Sequence, residues 1–228
     1  MTAIENCTQT LSTINTINPD SSCFSILKQL VASHYELVHE AIIEPKVDEF
    51  ISLKKSANGC EEYLAAYGIT YAANKALFSE QYIEGDNIET HVLDTLGIEL
   101  SRQEICEIGA FSSFKGRGGA LKLLESLPYI MWSKGQKYTL VTVTPIVEKM
   151  IGRLGFYFHE VARANVEMLP QQQQSTWGRY YEHNPKVLLV DLAASLQSTL
   201  PLLFGKYQVA ELRLNEHGKV LNHLEVAA

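Results

Sequence analysis

Apolar residues recur at three- and four-residue spacing in "FSILKQLVASHYELVHEAI", with Ile26, Leu27, Leu30, Val31, Tyr35, Val38 and Ile42 on one face, which predicts an amphipathic helix. The pattern then shifts. "VDEFISLKK" and "EEYLAAYGITYA" read as two strands joined by a turn at Ser56-Ala57-Asn58-Gly59. "NIETHVLDTLG" is a short helix closed by Gly97, and "SRQEICEIGAFSS" a strand. "ALKLLESLPYIMWSK" is helical, with a kink or break expected near Pro128. "KYTLVTVT" is a β-branched strand, "PIVEKMIGRLG" a helix with proline at its start and glycine at its end, and "FYFHEVA" another strand. The centre of the chain is therefore β, glycine turn, α, β, α, β, an α/β arrangement.

The flanks are less regular. Residues 1–22, rich in Ser, Thr and Asn, read as a mobile leader. Gln171 to Gln174 mark a surface loop, "LLVDLAASLQSTLPLLF" a last helix, and "VAELRLNEHGKVLNHLEV" a terminal hairpin turning at Asn215 to Gly218. The division expected is a leader at 1–22, one domain at 23–205 and a C-terminal hairpin extension at 206–228.

A net charge of -7 with no basic stripe argues against nucleic acid as the main partner. Cys7, Cys23, Cys60 and Cys106 lack metal-ligand or disulfide-framework spacing, so no metal site is expected. The first residues have neither a basic nor a continuous apolar region of the secretory kind, and no stretch predicts stable membrane insertion; the expected location is cytoplasmic.

Candidate chemistry begins at "FKGRGGALKLL". Glycines let backbone N–H groups converge without β-carbons in the way, and the helix that follows adds its positive end, an arrangement suited to phosphate. Gly-Lys-Ser/Thr is missing, so it is not a P-loop, and G-x-G-x-x-G is missing too. The spacing Lys115-x-x-Gly118-x-Ala120 resembles the loop by which GNAT acyltransferases hold the coenzyme A pyrophosphate. "EICEIGAFSS", the glycine loop, "YTLVTVT" and "PIVEKMIGRLGF" follow in the order of that fold.

"ALFSEQYIEGDNIETHV", "EIGAFSS", "GRLGFYFHEVARAN" and "WGRYYEHNPKV" together resemble the thermostable hemolysin family over roughly residues 25–195, and more distantly the acyl-homoserine lactone synthases. The resemblance implies a GNAT-like acyl-CoA N-acyltransferase fold, a mixed central sheet flanked by helices. It also implies transfer from acyl-CoA or an acyl carrier protein to a small amine acceptor. The donor would lie on Ala110, Phe111, Ser112, Lys115, Gly116, Arg117, Gly118, Gly119 and Ala120. Glu107 is read as the general base or as a structural ion-pair partner, and Glu80 as a second carboxylate able to bind a cationic acceptor or to share the base role. Tyr180 or Tyr181 would protonate the leaving thiolate, or with Trp177 close the core; Trp177 and Arg179 would meet substrate. Strand alternation sends Cys106 to the face opposite Glu107. The pattern departs at Ala110, where the family has Asn, near Ile69-Thr70, where it has Arg, at Lys115, where the GNAT loop starts with Gln or Arg, and at Ile151, where acetyl-transferring GNAT enzymes often keep Tyr. Two other readings stand beside it, a membrane-active hemolysin and a catalytically degenerate acyl-CoA-binding protein.

Overall fold

The computed structural model describes residues 11–57, 60–83, 85, 87–206, 211–214 and 220–226, with the backbone alone at 11, 57, 74, 117, 204–206 and the last two segments. The strands are β1 (Leu11–Ile17), β2 (Glu49–Ala57), β3 (Cys60–Tyr71), β4 (Ile105–Ser113), β5 (Tyr138–Val143), β6 (Tyr157–Arg163), β7 (Lys186–Asp191), β8 (Glu211–Leu214) and β9 (Val220–Val226). They join in one sheet in the order β6-β7-β5-β4-β3-β2-β1-β9-β8. Every neighbouring pair is antiparallel except β4 and β5. A parallel pair needs a crossover, and helix α3 (Gly116–Ser133) supplies it.

Helix α1 (Ser22–His39) starts on a Ser21 side chain that accepts the Cys23 N–H, and ends at Glu40 in the left-handed region. Helix α2 (Ile88–Leu96) is capped by Asn87 and closed by Gly97, also left-handed. Helix α4 (Pro145–Arg153) has proline in its first turn. A single turn, α5 (Gln171–Gln174), occupies the glutamine run expected as a loop, and α6 (Leu192–Lys206) follows β7.

Two cores result. On one sheet face Leu123, Leu127, Ile130 and Met131 of α3 pack on Ile51, Leu53, Tyr67, Ile69, Cys106 and Ile108. On the other, Leu27, Val31 and Tyr35 of α1 pack on Phe50 and Ala66, while Leu77, Tyr82, Ile88 and Val92 pack on Ile105, Leu140 and Leu189. Each such side chain, fully buried, contributes roughly 1.5–3 kcal/mol of transfer free energy. Cys106 and Glu107 fall on opposite faces, as alternation requires.

Four expectations change. "KVLLVD" is strand β7, wedged between β5 and β6, not the start of a helix; Val187 to Val190 are buried on both faces, so no alternation marks them. Helix α3 runs unbroken through Pro128, held by the packing of its apolar face. Residues 11–17, placed in the leader, form β1, which pairs along β2 from Leu11↔Ser56 to Ile17↔Phe50. The glutamine run is the helical turn α5. Residues 1–10, the turn residues Asn58 and Gly59, and the Asn215–Gly218 turn lie outside the described residues.

Candidate functional site

The pairing of β4 with β5 runs from Ile105↔Tyr138 to Ile108↔Val141 and stops there, although both strands continue. The reason lies on the other edge of β4. Between Gly68↔Gly109 and Ala66↔Ser112, Ala110 and Phe111 stand opposite the single residue Tyr67, a β-bulge, and Ala110 takes φ 54°. A bulge bends its strand and leaves backbone groups outside the ladder. Here it swings the end of β4 away from β5 and opens a V.

Two cavities meet at that opening, both lined by Tyr35, Ile108, Gly109, Ala110 and Thr142. The smaller, about 50 Å³, lies beneath α3 and α4 and is closed by Leu127, Ile151, Phe156 and Val190. The larger, about 820 Å³, opens on the α1 face between the 42–47 segment and an aromatic wall of Phe78, Trp177 and Tyr180.

Glu107 lines the larger cleft and is only 6 % exposed. Its Oε2 accepts the Phe78 N–H at 2.6 Å and its Oε1 the Ser79 N–H at 3.0 Å. These donors begin a short 3-10 turn, Phe78–Tyr82. Burial pushes the carboxyl up to about 7; the Phe78 and Ser79 donors oppose that rise without cancelling it. A carboxyl held there is poised to accept a proton near neutrality.

Glu80 has a different place. It is absent from the cleft lining, and its oxygens accept the Leu77 N–H at 2.6 Å and the Ile88 N–H at 3.3 Å and pair with both terminal nitrogens of Arg102, at 2.5 and 2.9 Å. Burial acts to raise its pKa, but Arg102 and these donors outweigh it and hold the carboxyl below the ordinary glutamate value. It ties the loop to Arg102 and does not line the cleft.

The aromatic segment divides as well. Tyr180 is buried, and its hydroxyl donates to the Thr142 carbonyl at 3.1 Å, with burial driving its acidity far down. Tyr181 hydrogen-bonds Tyr82 through their hydroxyls, and burial pushes it up to about 12. Tyr82 lines the cleft and Tyr181 does not. Trp177 packs on Phe78 and Tyr180, at ring distances of 5.3 and 5.4 Å, in the cleft wall. Arg179 points away, exposed and ion-paired with Glu40 at 2.8 Å. Sequence reasoning missed Tyr35, Tyr82 and Arg102. Tyr35 passed as core spacing, Tyr82 was quoted within "ALFSEQY" without a role, and no local signal marks Arg102.

The glycine loop delivers a helix start at the open end of β4. The Phe114 and Lys115 N–H groups both reach the Leu64 carbonyl, at 2.9 and 3.4 Å, which pins the loop to β3. Gly119 sits on Leu64 so closely that a Cβ would lie 3.0 Å from the leucine Cβ. The Lys115 side chain does not cap α3, so the first-turn N–H groups, those of Gly116, Arg117 and Gly118, are the donors that a helix start leaves without partners inside the helix. Lys115 is exposed and pairs with Glu62 at 3.0 Å. Ala120 is buried behind the loop and Ser112 is buried in β4. Among the described residues no group of three His, Cys, Asp or Glu side chains is placed to hold a metal ion, and no helix is long and apolar enough to cross a membrane.

A mixed sheet with helices on both faces, one parallel strand pair splayed at a bulge, and a glycine-opened helix after the bulged strand define a GNAT-like α/β protein. Solved structures of acyl-transfer enzymes share the fold. The AHL synthase LasI superposes with a TM-score of 0.52 at 15% identity, over 85% of this chain and 95% of that one. FeeM, an N-acyl amino acid synthase from uncultured soil microbes, gives 0.53 at 11%, over 85% and 97%. BjaI, a CoA-dependent acyl-homoserine lactone synthase solved with SAM and isopentyl-CoA, gives 0.53 at 11%, over 84% and 89%. No curated protein matches the chain by sequence. Within this fold the chain belongs to the thermostable hemolysin family, whose model matches residues 17–196.

Proposed function

We propose that the chain is an N-acyltransferase moving an acyl group from a thioester, acyl-CoA or acyl-carrier protein, to the nitrogen of a small amine. The observation that carries this reading is the buried Glu107 carboxylate facing a cleft at the point where bulged β4 parts from β5. The acceptor would enter from the α1 face with its nitrogen toward Glu107. Glu107 takes a proton from the acceptor ammonium, the neutral nitrogen attacks the thioester carbon, and the C–S bond breaks as the thiolate departs, the nitrogen's second proton balancing the one delivered to sulfur. Backbone groups freed at Ala110 and Phe111 would polarise the thioester carbonyl. The Tyr82–Tyr181 hydroxyl pair fits the return of a proton to sulfur better than Tyr180, whose proton is engaged by Thr142. The acyl-transfer chemistry of LasI, BjaI and FeeM supports the reading, and a thioester donor of this kind suits a cytoplasmic enzyme.

Donor phosphates are assigned to the start of α3. A Cβ at Gly118 meets nothing within 4 Å, so Gly118→Val fits the folded chain. It would, however, cover the first-turn N–H groups. The expected result is an unchanged melting temperature with donor affinity weakened at least about tenfold, read by calorimetry with acyl-CoA. Full affinity in the folded variant would remove the phosphate assignment. The cavity under α3 and α4 sets a second expectation. At about 50 Å³ it has room for roughly three to five water-sized groups. Short acyl donors should therefore release thiol faster than long ones, and Ile151→Ala should move the optimum toward longer chains.

A further inference from the structure

The loop between β3 and α2 lies across the start of β4 and is fastened to it twice. One fastening is Glu107, which accepts the Phe78 and Ser79 N–H groups. The other is Arg102, in the short turn that leads into β4. Its guanidinium reaches four places. Both terminal nitrogens grip Glu80, at 2.5 and 2.9 Å. The Nε donates to the Ala72 carbonyl at 2.9 Å, and Nη2 to the Lys75 carbonyl at 2.7 Å. Nη1 also meets Glu89 at the head of α2, 3.2 Å away. Glu80 in turn accepts the Leu77 N–H, the amide next before the two that hold Glu107.

A guanidinium offers five donors in a rigid fork, and four of its contacts here converge on one segment, residues 72–80. The side chain is about a quarter exposed, 24%, and Glu80 less so, 13%, so water screens the pair only in part. The last amides before the 3-10 turn are thereby fixed in direction, and that direction decides whether Phe78 and Ser79 meet a carboxylate oxygen each.

We propose that Arg102 is a positioning residue: through Glu80 and the Ala72 and Lys75 carbonyls it aims the Phe78 and Ser79 amides so that they hold the Glu107 carboxylate at the cleft. This rests on Glu107 being the base proposed above. The "LF-x-EQY" stretch then has a mechanical meaning, with Glu80 serving the base and not acting as a second one. The charged and titratable groups around Glu107 are Glu80 and Tyr82 on the loop, Tyr180 across the cleft and Cys106 behind the strand.

The test uses the full chain and amide proton NMR. In the wild type, the Phe78 and Ser79 amide protons should shift together with Glu107 ionisation, because each donates to one of its oxygens. In Arg102→Ala that pH-dependent shift should vanish, both amides should exchange at least about tenfold faster, and kcat should fall about tenfold or more with KM changed much less. Arg102→Lys, with its charge but no fork, should restore only part of each. If Arg102→Ala does not fold, Glu80→Gln removes the charge pair while keeping shape and the Leu77 acceptor, and the same loss of coupling is expected. Amides that still follow Glu107 in a folded variant overturn the proposal, as does lost coupling with unchanged kcat. Failure of the base reading shows separately, as a Glu107→Gln chain that keeps its full rate.

Discussion

Glutamine in place of Glu107 is expected to lower kcat/KM for amine acylation by about 10²- to 10⁴-fold at neutral pH, the range that a positioned general base supplies. Burial holds the folded carboxyl near 7, against an ordinary value of 4.5. The base is therefore charged above that point, and the wild-type rate should drop along a limb centred near 7 as pH falls. Glu107→Gln should lose this limb. Its deficit should also narrow as pH approaches the pKa of the acceptor amine, because a neutral amine carries no proton that must first be removed. Thiol release measured from pH 5 to 9 decides it: an intact acid limb in the variant would remove Glu107 from the chemistry. Stability should move the opposite way to rate. With the folded pKa above the unfolded one, the contribution of this carboxyl is fully present below about 4.5 and is lost as pH rises through about 7. A wild-type melting temperature that falls between pH 5 and 8, and falls less in Glu107→Gln, is the matching thermal result.

The features legible in the sequence are those with local causes. Pro145 at the start of α4, Gly97 after α2, and the period-two separation of Cys106 from Glu107 all follow from backbone preferences within a few residues. The glycine stretch, read as a turn ahead of the helix, is the first turn of α3 itself, which starts at Gly116. The rest depends on distant contacts. Strand β7 carries no alternation because both its faces are covered, and β1 is a strand because β2 lies beside it. Glu80 looks chemical when read beside Phe78 and Tyr82, yet its partner Arg102 is twenty-two residues away, so its structural duty is hidden from any short window. Ala110 is the clearest case. The Asn expected here from the resemblance is a residue type that tolerates the left-handed region, whereas alanine adopts it at φ 54° because the bulge requires it. The departure from pattern was visible, but its meaning as backbone geometry was not.

Gly178→Ala is expected to destabilise the chain by about 2–5 kcal/mol, combining a left-handed backbone with a steric clash. Gly178 takes φ 49° and ψ -123°. A Cβ there would run into the carbonyl oxygens of His39 and Glu40, at the point where α1 ends. The neighbours leave little slack: the Ile42 N–H donates to the Thr176 carbonyl at 2.7 Å, and the Arg179 N–H to His39 O at 2.7 Å. Either backbone must give way, and both carry the cleft, since Ile42 and Ile43 form one side of it and Trp177 and Tyr180 the other. The melting temperature should therefore fall by roughly 4–20 °C, given about 2–4 °C per kcal/mol for a chain of this size. Trp177 emission, read in a Trp132→Phe background to silence the other tryptophan, should shift to the red as the ring loses its contacts with Phe78, Tyr35 and Tyr180. Gly118→Val provides the contrast, because a side chain there meets open space and should affect donor binding with no thermal effect. The glycine in "WGRYYEHNPKV" is thus required for the approach of two backbones, and the aromatic residues beside it are placed by that approach. A Gly178→Ala chain that melts within a degree or two of wild type, with unaltered Trp177 emission, would show that the segment can turn aside and that the wall of the cleft is held by its rings alone.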